Sequence, residues 1–215
     1  MRRLAAAIVI AFLLWFVMFS QWTAPHLNFW GAMTFSACVL ILLSSYLAPR
    51  TSHLAPRTSR SNLSPLSSLL SPLFEAIIIA SLLYLLFWIG DKLSQELFTF
   101  ARPQVDSIYQ MKDGTPSWLI ALLLLFIIGP AEELFWRGYV QRTLTQRWTA
   151  NTGFVVTTLI YTAVHLPSMN FMLIMAAFTC GFCWGLLYRL FPQHFPAIVL
   201  SHALWDAAAF VWFPL

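Results

Sequence analysis

Glu132, His165, His202 and Asp206 are acid–base groups set in a sequence with very little other charge. Glu132 and Glu133 directly follow "SWLIALLLLFII", a run with no charge at all, and Arg137 stands four residues behind Glu133. Two carboxylates and two imidazoles brought together can activate a water and stabilise the oxyanion it creates. They can equally hold Zn²⁺ with an open position. Helical spacing sorts them into faces. Glu133 and Arg137 are i,i+4 with the acid first, the favoured order for a pair, so they are expected to neutralise one another. Glu132 points about 100° away and has no partner on its own helix. Tyr161 and His165 in "YTAVH" share a face, as do His202 and Asp206 in "HALWD".

The elements that must position these groups are set by composition. Of the 215 residues, 60% are hydrophobic and only 9% charged, with a mean hydropathy of +0.74, against about 25% charged in a soluble domain. The chain therefore reads as an all-α, polytopic membrane helical bundle. With roughly 20 apolar residues needed per crossing, seven spans are expected, within a range of six to eight: about 4–22, 28–47, 72–90, 117–137, 152–168, 170–191 and 195–213. The N-terminal run is longer than the h-region of a signal peptide and is followed by no A-x-A-like site, so it is counted as the first span. An ionisable group in a bilayer costs about 2.5–3.5 kcal/mol even on the gentlest scale, which makes each of the intramembrane groups a functional candidate.

Lys and Arg gather on the cytoplasmic side of short loops. With the N-terminus inside, Arg2, Arg3, Arg50, Arg57, Arg60, Arg137, Arg142, Arg147 and Arg189 fall on that side or at its edge, and Lys92, Arg102 and Lys112 fall outside. Seven spans then put the C-terminus outside. The net charge of +4 is accounted for by topology, with no nucleic acid needed. Residues 1–116 read as N-terminal spans joined by a basic cytoplasmic loop (48–71) and followed by an outer loop (91–116) with room for a short amphipathic helix. Residues 117–215 read as the functional core. The cytoplasmic loop holds a tandem duplication, 47–53 and 54–60, too short for a solenoid repeat. Glu75 after "SP" reads as part of a helix start, with Ser71 as cap and Pro72 in the first position.

The ordered elements Glu132-Glu133-x-x-x-Arg137, Tyr161-x-x-x-His165 and His202-x-x-x-Asp206 resemble the signature of the CAAX protease and bacteriocin-processing family of intramembrane proteases, which includes the type II CAAX prenyl endopeptidases. "GFCWGLLY", with Gly181, Gly185 and Tyr188, is similar to the run that precedes the third element in that family. The resemblance covers residues 117–215. It implies an endopeptidase acting on a membrane-embedded peptide or protein, with Glu132 as base, His165 as its partner on the water, and His202 with Asp206 at the oxyanion. Glu133, Arg137 and Tyr161 would support them. Small size and short loops favour a prokaryotic plasma-membrane member, and a C-terminal sorting signal, a CAAX-like precursor and a bacteriocin-type precursor all stay open as the substrate.

Two departures stand out. Tyr161 occupies a position where the family more often has Phe, and Asp206 one where it has Asn. An ionised aspartate accepts but cannot donate to an oxyanion. Asp206 must then be protonated, or orient His202, or ligate a metal, so a metal-free reaction and one using Zn²⁺ through Glu132, His165, His202 and Asp206 both stay open. The zinc signature H-E-x-x-H is missing. Other functions to be weighed are a non-catalytic peptide-binding, immunity or scaffold protein and a membrane thiol oxidoreductase using Cys180 and Cys183. The Cys-x-x-Cys sits beside Gly181 and Gly185, however, whose spacing suits close helix packing. Straight-helix arithmetic leaves one difficulty: Glu132 and His165 differ in depth by about 10 Å at 1.5 Å per residue, which tilt or a kink at Pro130 must close.

Overall fold

A computed structural model describes residues 1–47 and 65–215. The tandem duplication and Arg50, Arg57 and Arg60 lie outside the described residues, apart from Leu47. Eight helices build the described part: α1 (Arg2–Phe19), α2 (Phe29–Leu47), α3 (Pro65–Leu97), α4 (Ala101–Tyr109), α5 (Ser117–Arg147), α6 (Ala150–Ala163), α7 (Phe171–Leu190) and α8 (Phe195–Ala207). A π turn, Ala208–Trp212, continues α8. The protein is an all-α integral membrane bundle, and six of its helices are long and apolar enough to cross a bilayer.

The fifth expected span is the exception. α6 has 14 residues rather than the 17 expected for 152–168, and the chain then turns through Leu166–Ser168 to Met169, which takes a left-handed conformation at φ 50°. At 1.5 Å per residue, α6 is about 21 Å long. It ends two residues before the buried His165. The third span also differs. α3 begins at Pro65, so Pro72 lies within the helix and Ser71 does not cap it; the Ser71 hydroxyl donates to Glu75 at 3.0 Å and the second Glu75 oxygen meets His194 at 2.6 Å.

Contacts fix the direction of the strokes. The far end of α1 reaches His165, Trp30 at the start of α2 packs on Phe210 beyond α8, and Asn170 before α7 bonds to Gln104 and Ser107 of α4. One end of the bundle thus carries α4, the turn after α6 and the end of α8. The other carries Arg2, Arg3, Arg142, Arg147 and Arg189. Arg137 is buried in the bundle, 1% exposed. α4 lies in the segment 91–116, where room for a short amphipathic helix was expected, and α3 occupies that segment as far as Leu97.

Small residues set how closely the helices approach. Gly181 and Gly185 of α7 face Tyr161 and Phe154 of α6, the close packing expected of their spacing. The tightest crossing relevant to the polar groups is between α5 and α8. A Cβ on Gly129 would stand 2.7 Å from the Ala203 Cα, so backbone meets backbone beside Glu132 and His202. Gly129→Ala is expected to lower the melting temperature in detergent, because overpacking costs about 1–3 kcal/mol and outweighs the roughly 1 kcal/mol gained in helix propensity. An unchanged or raised melting temperature would contradict this crossing.

Candidate active site

α5 does not break at Pro130. It runs on from Ser117 to Arg147, with π turns at Leu124–Ile128 and Leu134–Gln141 on either side of the single α turn Gly129–Glu133. Proline supplies no N–H to the ladder, and π turns are a way for a helix to absorb such a defect while re-aiming its side chains. The adjacent glutamates sit on that one turn, buried and facing different neighbours.

Glu133 is at the centre of a buried ionic group. Its Oε1 accepts from Arg137 at 2.8 Å, the pair expected from spacing, and also meets His202 Nδ1 at 2.6 Å. Arg137 donates through its other terminal nitrogen to the Cys180 carbonyl at 3.1 Å and the Gly181 carbonyl at 3.4 Å, and its guanidinium lies 5.1 Å from the Tyr161 ring centre. Glu133, Arg137 and His202 are each at most 3% exposed. The Glu133 carboxylate can only accept, so His202 Nδ1 carries a proton. Trp184 stacks on the imidazole at 3.8 Å with 15° between the planes, and the indole is itself held by a bond to Ser201. His202 Nε2 faces Asp206 at 3.5 Å.

Glu132 stands apart from this group. Its Oε2 accepts from the Tyr161 hydroxyl at 2.8 Å. Tyr161 lies four residues, about one turn, before His165 and reaches Glu132 with its full side chain. His165 itself turns elsewhere: Nε2 faces the indole N–H of Trp15 at 3.2 Å and Nδ1 the Tyr161 carbonyl at 2.8 Å. The backbone explains the second contact. Where α6 ends, the His165 N–H bonds to Thr162 rather than to Tyr161, and in a membrane a freed carbonyl must find a donor within the protein. The imidazole provides it.

Glu132, Tyr161, His165, His202 and Asp206 all line one cavity of about 590 Å³. The rest of its wall is largely apolar, with Phe29, Met33, Phe87 and Phe171 among the contributors. The sequence-expected residues are therefore brought to one chamber. They do not form one ligand set: among the described residues no three His, Cys, Asp or Glu side chains gather as a metal would need. Both His165 nitrogens are engaged and His202 Nδ1 is held by Glu133, so the residues as arranged do not fit a zinc ion. Cys180 is buried, Cys183 partly so, and both are free thiols. Sequence reasoning missed Trp15, Trp184 and Gly129. Only "GFCWGLLY", which contains Trp184, offered a signal for any of them.

A family model described as type II CAAX prenyl endopeptidase Rce1-like matches residues 114–208. This Rce1-like segment begins just before α5, ends just after α8 and contains Glu132, Glu133, Arg137, Tyr161, His165, His202 and Asp206. Trp15 lies outside it. At family level the match supports an intramembrane CAAX-type endopeptidase, with a membrane-associated peptide as its class of substrate. No curated protein and no solved structure matches the chain.

Proposed function

We propose that this protein is an intramembrane endopeptidase that hydrolyses a peptide bond of a membrane-anchored precursor by a water activated on Glu132. The observation that carries the reading is the division of labour between neighbouring carboxylates. Glu133 is consumed by Arg137 and His202, whereas Glu132 faces the cavity with one oxygen held by Tyr161 and the other without a partner among the described residues. A base must be free to take a proton and fixed in direction.

In the proposed reaction a water on Glu132 Oε1 gives up a proton as it attacks the scissile carbonyl, and Glu132 then returns that proton to the departing amine. His202, stacked on Trp184 and backed by Glu133, is the donor for the developing oxyanion through Nε2. Glu133 orients this imidazole through Nδ1, and the ring carries a second proton on Nε2, which faces Asp206 at 3.5 Å in the resting site and is donated to the oxyanion as it forms. None of these steps requires a metal. Turnover is expected to be unchanged by preincubation with EDTA or 1,10-phenanthroline. A loss that added Zn²⁺ reverses would mean that the histidines rearrange around an ion.

The basic end of the bundle is the cytoplasmic end in this proposal, so the N-terminus is inside, the C-terminus outside, and α4 lies on the outer surface. The largely apolar chamber suits a peptide whose cleavage site lies next to a membrane-buried segment, in a prokaryotic plasma membrane. The test compares new peptide termini in membranes of cells expressing wild type or Glu132→Gln at equal level. Termini that appear only with wild type would establish proteolysis and identify the substrate. Identical sets, with both proteins folded, would leave peptide binding or immunity as the function.

A further inference from the structure

We infer that Asp91 of α3 is a specificity-determining residue, whose carboxylate receives a lysine or arginine side chain of the substrate a few residues from the cleaved bond. This names a substrate class for the proposed hydrolysis and rests on that reading.

Asp91 lines the same chamber as Glu132 and Asp206 and is buried. Its Oδ2 accepts from the Gln95 side-chain amide at 2.6 Å and meets the Lys92 ammonium at 3.3 Å. Its Oδ1 is buried as well and has no partner among the described residues. A carboxylate oxygen only accepts, so what it lacks is a donor. Holding such an oxygen away from water without one is unfavourable, and a charged donor offsets that best. Lys92 does not fill the place. It lies on the other oxygen, and its side chain is 54% exposed, where solvent screens the pair.

The charge of the wall selects a cation. Asp91, Glu132 and Asp206 line the chamber, whereas among the described residues no lysine or arginine side chain does. In a chain of net charge +4, the chamber thus carries the opposite sign. The nearby cations are engaged elsewhere: Arg102 with Asp106 at 2.6 Å, and Lys112 with the Phe210 carbonyl at 3.1 Å. Of the histidines on the wall, His202 is paired with Glu133. Complementary charge across an apolar, water-poor surface is a source of specificity.

The remaining wall fits a long basic side chain. Leu86, Ile108, Phe98, Phe171 and Tyr109 stand in the same chamber, with the Phe98 and Phe171 ring centres 6.0 Å apart. Apolar surface takes the methylene stem, and aromatic faces favour the charged head. The distance to the reacting bond follows from α3. Phe87 packs on Trp205, the neighbour of Asp206, with ring centres 4.6 Å apart, and Asp91 lies four residues beyond Phe87. That is about one turn, or ~5.4 Å. An extended peptide advances about 3.3 Å per residue, which puts the basic residue within about four residues of the bond attacked at Glu132.

The test collects new peptide termini from membranes of cells expressing the full-length wild type, Asp91→Asn or Glu132→Gln. Termini that depend on Glu132 should carry a lysine or arginine within about four residues of the cut. Turnover is then measured on the substrate so identified and on its variant with that basic residue changed to Met. Asp91→Asn is expected to raise KM about tenfold with kcat little changed, as loss of a charged contact made equally in ground and transition states would. The Met substrate should lose the same factor with wild type and nothing more with Asp91→Asn, because both changes remove one contact. A structural role for Asp91 would instead make the two losses multiply.

Glu132-dependent termini without a basic residue in that range, or losses that multiply, would overturn the inference and leave the protease reading standing. Termini indifferent to Glu132→Gln would overturn both. If Asp91→Asn does not accumulate, the two substrates compared on wild type decide alone. A tenfold higher KM for the Met substrate is the expected result, and equal cleavage of the two would overturn the inference.

Discussion

Glu132→Gln is expected to reduce kcat by about 10²–10⁴-fold, the usual contribution of a general base, while KM and the melting temperature stay close to wild type. The substitution keeps the shape of the side chain and an oxygen for the Tyr161 hydroxyl to bond. It removes only the capacity to take a proton. Because Glu132 is buried without an ionic partner of its own, the neutral amide relieves no structural ion pair. Loss of activity with unchanged stability is therefore the specific expectation, read by cleavage of the substrate in vesicles alongside thermal unfolding. Activity within a few-fold of wild type would reject Glu132 as the base.

Arg137→Ala is the substitution expected to damage the fold most. Removing one member of a buried ion pair leaves the other charge uncompensated and costs about 3–5 kcal/mol. Here the loss is wider than a pair. Glu133 would keep only His202, its Oε2 having no partner among the described residues, and the Cys180 carbonyl would lose its side-chain donor while that of Gly181 kept only Thr158. Total stabilities are commonly about 5–15 kcal/mol, so poor accumulation in the membrane is expected. A double variant separates stability from chemistry. Arg137→Met with Glu133→Met should recover much of the stability, since an apolar replacement of a buried pair is often tolerated, yet stay inactive because His202 loses its anchor. Thermal unfolding and cleavage assays on the two variants check both parts. An active double variant would mean that the Glu133–His202 contact has no part in turnover.

These two substitutions fall on neighbouring ends of one motif and are expected to fail in different ways, and the sequence foretold that difference only in part. The Glu133–Arg137 pair was legible because i,i+4 spacing on one helix is local geometry, independent of the rest of the chain. The freedom of Glu132 followed from the same rotation. The partners that each residue finds on other helices were not legible. Their choice depends on the crossing at Gly129 and Ala203, on the π turns around Pro130 and on where α6 stops. Tyr161, four residues before His165, reaches Glu132 with its hydroxyl, and α5 carries on through Pro130 without a break.

By itself the sequence determined the solvent, the helical class, the candidate residues and their order. Apolar composition at this level admits only a membrane bundle, and a bilayer makes every retained charge informative. Only the tertiary structure decided which atoms meet: His202 with Glu133, Tyr161 with Glu132, and His165 with Trp15, a residue 150 positions away. Spacing along a chain fixes which side chains share a helix face. It cannot fix the rotation, depth and end point of one helix against another, and in this site those three quantities separate a base from a buried counter-ion.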